Sequence, residues 1–232
     1  MSVPAVRELL VQSPLVADLS PPALDDVLQA LSVRMVAAKT MLFHQGDLPT
    51  ELIVLGKGIV KVWQMRAGGT PATLHMLGPG DLVGAVAVFR RIPFPASATA
   101  FTECILLSWT AARANELMEQ YPAIRTNALD YVGRRAEELA HRLGEMATER
   151  VEQRIARTLL RLAGQTGVAA SEGIEIGYPL SRQDIAEIVG TDLYGVSRVL
   201  RNWAKQGLVE TGRLRVVLRN RQRLEQIANR GG

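Results

Sequence analysis

The sequence predicts an α+β chain in three parts: a roll of short strands, one long helix, and a compact helical head that ends in a β-hairpin. Three observations carry that expectation. Short apolar runs alternate with glycine breaks from Met41 to Trp109, which is strand-and-turn spacing. Apolar residues recur at heptad spacing from Leu129 to Met146, and two amphipathic segments flank Gly190. The domains that follow are 1–120 for the roll with its flanking helices, 121–148 for the long helix and 149–232 for the head.

Taken in order, the strand candidates are Met41-Phe43, Leu52-Leu55, Ile59-Trp63, Thr73-Leu77, Val83-Ala87, Ala96-Phe101 and Cys104-Trp109. Turn residues separate them, among them Gly46-Asp47, Gly56-Lys-Gly58, Gly78-Pro-Gly80 and Pro93-Phe-Pro95. Many short strands in regular succession suggest a jelly-roll-like roll. Helices flank it, from Ala23 to Leu31 and from Thr110 to Glu119. A roll by itself says little about function.

The long helix carries a seam. Leu129, Val132, Ala136, Leu139, Leu143 and Met146 are spaced 3, 4, 3, 4 and 3, the a and d positions of a short coiled coil. Arg134, Arg135, Glu137, Glu138, Arg142 and Glu145 leave that stripe narrow, which favours a partner helix over packing on its own domain. A parallel, twofold homodimer is the expectation.

The head holds the most specific signal. Ser181 with Asp184 makes a capping pair, and Ile185, Ile188 and Val189 fall on one helical face. Gly190 supplies the turn, because a residue without Cβ accepts a positive φ. Asp192 caps a second helix whose Val196, Val199, Leu200 and Trp203 are apolar on one side. Tyr194, Gly195, Ser197, Arg198 and Arg201 occupy the other, a face that a helix-turn-helix inserts into the major groove. Gly207 ends this helix, and Leu208-Glu210 and Arg215-Leu218 form a wing around Thr211-Gly212-Arg213. The DNA-contacting candidates are Ser181, Arg182, Thr191, Leu193, Tyr194, Gly195, Ser197, Arg198, Arg201 and Arg213. An ordinary helical hairpin with a solvated basic face is the alternative, and the basic wing weighs against it.

Charge points the same way. The chain has 232 residues and a formal net charge of +4. Residues 149–232 hold 14 basic and 9 acidic residues, and residues 198–232 hold nine Lys or Arg against Glu210 and Glu225. Positive charge concentrated in the head neutralises phosphates and makes affinity depend on salt. No secretory start or membrane span is visible, and the single Cys104 forms no internal disulfide, which suits a reducing cytoplasm. No nucleophile–base constellation, metal-ligand spacing or phosphate loop appears, so a catalytic chain is not expected.

These residues, taken together, resemble the Crp/Fnr family of bacterial transcription regulators. The matching pieces are Phe43-His-Gln-Gly-Asp47, Gly58-Ile-Val-Lys-Val62, Gly78-Pro-Gly-Asp-Leu-Val-Gly84, Arg154-Ile-Ala-Arg-Thr-Leu-Leu160 and the helix-turn-helix, in family order from about Leu15 to Leu224. The resemblance implies a sensor roll, a dimerisation helix and a winged head. It also implies a small effector near the roll and long helix, and RNA polymerase and double-stranded DNA as partners. The effector-region candidates it suggests are Gly84, Ala85, Val86, Ala96, Ser97, Arg135 and Leu139.

At that region the family's cyclic-nucleotide pattern fails. Nucleotide-binding members carry a Gly-Glu pair and an Arg-Ser/Thr-Ala run, and here these read Gly84-Ala85 and Pro95-Ala96-Ser97-Ala98. The carboxylate and the phosphate-gripping guanidinium are both missing, and Arg90 and Arg91 stand at the wrong offset. On the long helix, the pair facing the base aligns with Leu139-Ala140. Cyclic AMP is therefore not expected, and one cysteine excludes an Fnr-type iron–sulfur cluster. Other effectors stay open: haem in a gas- or redox-responsive regulator, with His44, His75 and His141 as the only imidazoles, an organic metabolite, or none. A regulatory subunit using the roll without DNA is the alternative from another class.

Overall fold

The computed structural model describes residues 1–65, 69, 71–148 and 150–229, without the side chains of 142, 143 and 145–148. The chain divides into two compact units, one of residues 1–69 and 73–138 and one of residues 70–72 and 139–232.

The first unit begins with α1 (Val3–Leu10), a short 3₁₀ turn and α2 (Pro21–Gln29). Eight strands follow: β1 (Ser32–Val36), β2 (Met41–Phe43), β3 (Glu51–Lys57), β4 (Val60–Met65), β5 (Pro71–Leu77), β6 (Leu82–Val83), β7 (Ser97–Ala100) and β8 (Cys104–Thr110). They form two four-stranded sheets, ordered β1-β8-β3-β6 and β2-β7-β4-β5. In β3 and β8 alternation assigns each side chain to one of two cores. Ile53, Leu55, Cys104 and Leu106 join Val60, Ala98 and Ala100 in the interior of the roll. Leu52, Val54, Leu107 and Trp109 face outward into a second core built with the helices. That core receives Val6, Leu10 and Val27 from α1 and α2, and Leu117 from α4 (Ala111–Gln120). Trp109 donates its indole N–H to the Val27 carbonyl at 2.9 Å, which fixes α2 on the sheet.

Six of the seven expected strands are present. The exception is Val83-Ala87: the strand stops at Val83, Gly84 adopts φ 75°, and Ala85–Arg90 is a short helix, α3. Periodicity could not separate the two, because an unbroken apolar run fits a buried strand and a buried helix equally. The edge strand β1 escaped the sequence reading, since its pattern is mostly exposed and carries Arg34. It pairs with β8 from Ser32 opposite Ser108 to Val36 opposite Cys104.

The long helix α5 spans Pro122–Thr148, 27 residues, or about 40 Å at 1.5 Å per residue. Ile124, Ala128 and Tyr131 bury one face in the helix-covered core, with Val132 beside them. Leu129 is 66% exposed and Leu139 37% exposed.

The second unit contains α6 (Val151–Thr166), β9 (Gly167–Ala170), β10 (Gly173–Ile176), α7 (Arg182–Val189), α8 (Leu193–Lys205), β11 (Val209–Thr211), β12 (Val216–Leu218) and α9 (Arg221–Ala228). Its antiparallel sheet runs β11-β12-β10-β9. The wing is therefore two strands broader than the sequence reading gave. α6 packs against α7, α8 and α9 through Ile155, Leu159 and Leu162, all buried.

Candidate nucleic-acid interface and effector region

Local chemistry builds the helix-turn-helix as the spacing predicts. The Ser181 hydroxyl accepts the Asp184 N–H at 3.1 Å, and the Asp184 carboxylate accepts the Ser181 N–H at 2.9 Å. This reciprocal capping satisfies two donors that a helix start leaves unpaired. Gly190 sits at φ 73° and closes α7 by donating to the Ala186 carbonyl at 2.9 Å. Asp192 then caps α8 by accepting the Gly195 N–H at 2.7 Å. From α6, Arg154 reaches the Val189 carbonyl at 3.3 Å and ties the motif to its support.

The two faces of α8 separate cleanly. Val196, Val199, Leu200 and Trp203 are buried. Leu193, Tyr194, Arg198 and Arg201 are exposed, Tyr194 to 84%, while Thr191, Gly195 and Ser197 are half-buried beside them. Ser181 and Arg182 are half-buried at the start of α7. Among the described residues Arg182, Arg198, Arg201, Lys205 and Arg213 make no ion pair, so their donors are available to a polyanion.

The wing behaves differently. Its tip is closed by Gly212 donating to the Arg215 carbonyl at 2.8 Å, and Arg213 is exposed there with Leu214. On one face of the sheet, Glu210 and Glu175 pair across Val217, with Arg215 and Arg219 on either side of it. Arg215 bonds Glu175 at 2.8 Å and also pairs with Glu210, and Arg219 pairs with Glu210 and Glu172. A further arginine of the tail, Arg221, bonds Glu225 at 2.8 Å. The count for residues 198–232 overstates the free positive charge there, because Glu172 and Glu175, which pair with Arg219 and Arg215, lie before that stretch, on the β9–β10 hairpin.

In the roll, Gly84 is required by its surroundings. At φ 75°, a Cβ there would lie 2.5 Å from Phe94 Cε1 and 3.2 Å from Phe43 Cζ. The two phenyl rings stack with centroids 3.6 Å apart and planes 7° from parallel. Ala85 and Ala96 are each 5% exposed, whereas Val86 is 38% exposed. Ser97 is buried, and its hydroxyl accepts the Gln45 N–H at 3.0 Å. Arg135 pairs with Asp81, with Glu138 at 2.7 Å and with the Tyr131 hydroxyl at 3.1 Å.

The remaining candidates are dispersed. Leu129, Ala136 and Leu139 are exposed on α5 and Val132 is half-buried, while the side chains of Leu143 and Met146 lie outside the described residues. His44 and His141 are exposed, and His75 is half-buried in β5. Cys104 is buried, its thiol donating to the Ile59 carbonyl at 3.3 Å. No helix among the described residues is long and apolar enough to cross a membrane.

Comparison with known proteins agrees with this division of labour. The family model of the cyclic nucleotide-binding domain matches residues 33–121, and that of the Crp-like helix-turn-helix domain matches residues 153–227. The chain is 30% identical to the cyclic AMP receptor protein of Thermus thermophilus, over 93% of this chain and 97% of that one. It is 29% identical to the cAMP-activated global transcriptional regulator CRP of Salmonella typhimurium, over 81% and 90% of the two chains. Its fold is like that of FixK2 from Bradyrhizobium japonicum, with a TM-score of 0.77 at 17% identity, over 87% of this chain and 99% of that one. The Salmonella relative is named as a transcriptional regulator, and the roll, long helix and winged helix-turn-helix stand in the order expected. The chain belongs to the Crp/Fnr family of bacterial transcription regulators.

Proposed function

We propose that the chain is a homodimeric cytoplasmic regulator that reads a palindromic operator through α8, works with RNA polymerase and does not take cyclic AMP as its effector. The observation that carries the DNA reading is the unpaired cationic face of α8. Arg198 and Arg201 project from a helix capped by Asp192 and held by four buried apolar residues. An arginine so held can donate two hydrogen bonds to guanine O6 and N7.

Many family members place a glutamate four residues before the arginine that Arg198 matches, where this chain has Tyr194. A tyrosine cannot act as a carboxylate acceptor for cytosine, but its ring meets a thymine methyl and its hydroxyl a phosphate. The operator should keep a guanine opposite Arg198 and depart from the family pattern opposite Tyr194. The apolar stripe with Leu129 and Leu139 exposed supports pairing through α5, since each buried leucine contributes roughly 1.5–3 kcal/mol.

The Thermus relative is named for cyclic AMP, but in this chain two buried methyl groups, on Ala85 and Ala96, stand where a nucleotide would need a carboxylate and a guanidinium. A binding selection on random DNA with wild type and Arg198→Ala tests the reading. The wild type should select a twofold palindrome, and the variant should lose its preference at one base pair of each half-site. No palindrome, or an unchanged preference in the variant, would remove α8 from the role given it here.

A further inference from the structure

We propose that Asp81, Tyr131 and Arg135 form a latch that docks α5 on the roll without any small molecule, so that the chain binds its operator unliganded. The inference rests on the DNA-binding reading above.

The latch joins the turn between β5 and β6 to the middle of α5. The Tyr131 hydroxyl accepts the Leu82 N–H and the Arg135 Nε–H, each at 3.1 Å. It stands 3.3 Å from both Asp81 Oδ1 and the Leu82 carbonyl, either of which can take its proton. The Arg135 guanidinium pairs with Asp81 and Glu138 and lies 5.2 Å over the Tyr131 ring. One cation thus meets two carboxylates. Tyr131 is only 6% exposed, and burial pushes its hydroxyl up to about 12, so it keeps its proton throughout the neutral range.

Both ends are anchored. Asp81 also accepts the Gly78 N–H at 2.8 Å, and the turn is pinned to β3 by Gly80 donating to Leu55 at 2.7 Å. On the helix side, Ala128 and Tyr131 are buried in the core that α5 shares with β3 and β8.

A ligand shifts an equilibrium only by its differential affinity for the two states. Here the guanidinium that could greet an anionic effector is already held by two carboxylates. The space against Gly84 is filled by Phe94 and Phe43. The chain's own side chains therefore make the contacts that fix α5, and an effector has few left to make.

The test is operator binding by the purified full-length chain with no added small molecule, together with hydrogen exchange over residues 78–83 and 128–138. Wild type should bind, and cyclic AMP should alter its affinity by less than about twofold. Tyr131→Phe, which keeps the buried ring, and Arg135→Gln should each weaken operator binding by about tenfold and speed exchange in both segments. Arg135→Lys, which keeps the charge opposite Asp81, should recover part of the loss. A purely structural role would lower the melting temperature without changing the affinity of the folded protein. Variants as tight as wild type overturn the latch alone, and so does a wild type that binds only with an added effector. A wild type that selects no palindrome under any condition overturns both the latch and the reading on which it rests.

Discussion

The roll and the head of this chain keep the same family architecture but differ in what they keep of its chemistry. In the head, the capping residues and the turn glycine shape α7 and α8, and Arg198 and Arg201 stand unpaired on the face proposed to read DNA. In the roll, both sheets and the turn at Gly78 to Gly84 are intact, but Ala85 and Ala96 are buried at the positions proposed to have lost nucleotide contacts, and Arg135 is bound within the chain. A fold is held by its core, whereas a ligand is held by a few polar groups that a single substitution removes. The two properties can therefore part company within one molecule.

Substitutions that attack each side should show the contrast, and the largest effect is expected at the helix both halves depend on. Leu139→Glu places a charge in the middle of the exposed stripe, and an unpaired charge buried at an interface is costly. Sedimentation should show monomers, and operator binding should disappear. An unchanged dimer would defeat the assignment of the seam.

Gly84→Ala is the corresponding attack on the roll. It combines a positive φ, which costs roughly 1–2 kcal/mol for a residue with Cβ, with a contact to Phe94 that is too close. Thermal unfolding should show the first unit destabilised. A melting temperature equal to wild type would mean that the Phe43–Phe94 stack can give way.

Arg198→Ala should cost about 1–3 kcal/mol on the operator and relax one base pair, as for a lost bidentate contact. Smaller effects are expected at the wing, where two substitutions should act in opposite directions. Arg213→Ala removes an unpaired cation and should flatten the salt dependence by about one unit on all sequences alike. Glu210→Gln releases Arg215 and Arg219 from one carboxylate, and because exposed ion pairs contribute only about 0–1 kcal/mol, their guanidiniums become available to phosphate. Non-specific affinity should rise and its salt dependence steepen. Equal slopes for wild type and Glu210→Gln would show that this face of the wing stays away from DNA.

Much of this was legible in the sequence because the signals were local. Ser181 with Asp184, Gly190, Asp192 and Gly207 each act within a turn of the chain, and each adopts the cap or positive φ its residue type favours. Six strands were visible because glycine and proline bracket them. What escaped was set by partners distant in sequence. β1 is a strand because β8 pairs with it, not because Ser32–Val36 alternates apolar and polar. The strand ends after Val83, where Gly84 takes a positive φ against the rings of Phe94 and Phe43, and those rings come from elsewhere in the chain. Arg135 looked available to an effector since Asp81 lies 54 residues away in the chain. The charge count for residues 198–232 missed the partners of Arg215 and Arg219, because Glu175 and Glu172 come from earlier in the chain.

Whether the head reads DNA while the roll has left cyclic-nucleotide chemistry is decided by a random-DNA selection run on the purified protein with and without millimolar cyclic AMP. The same twofold palindrome should emerge, enriched equally, in both arms. A palindrome that emerges only when cyclic AMP is present would contradict that expectation.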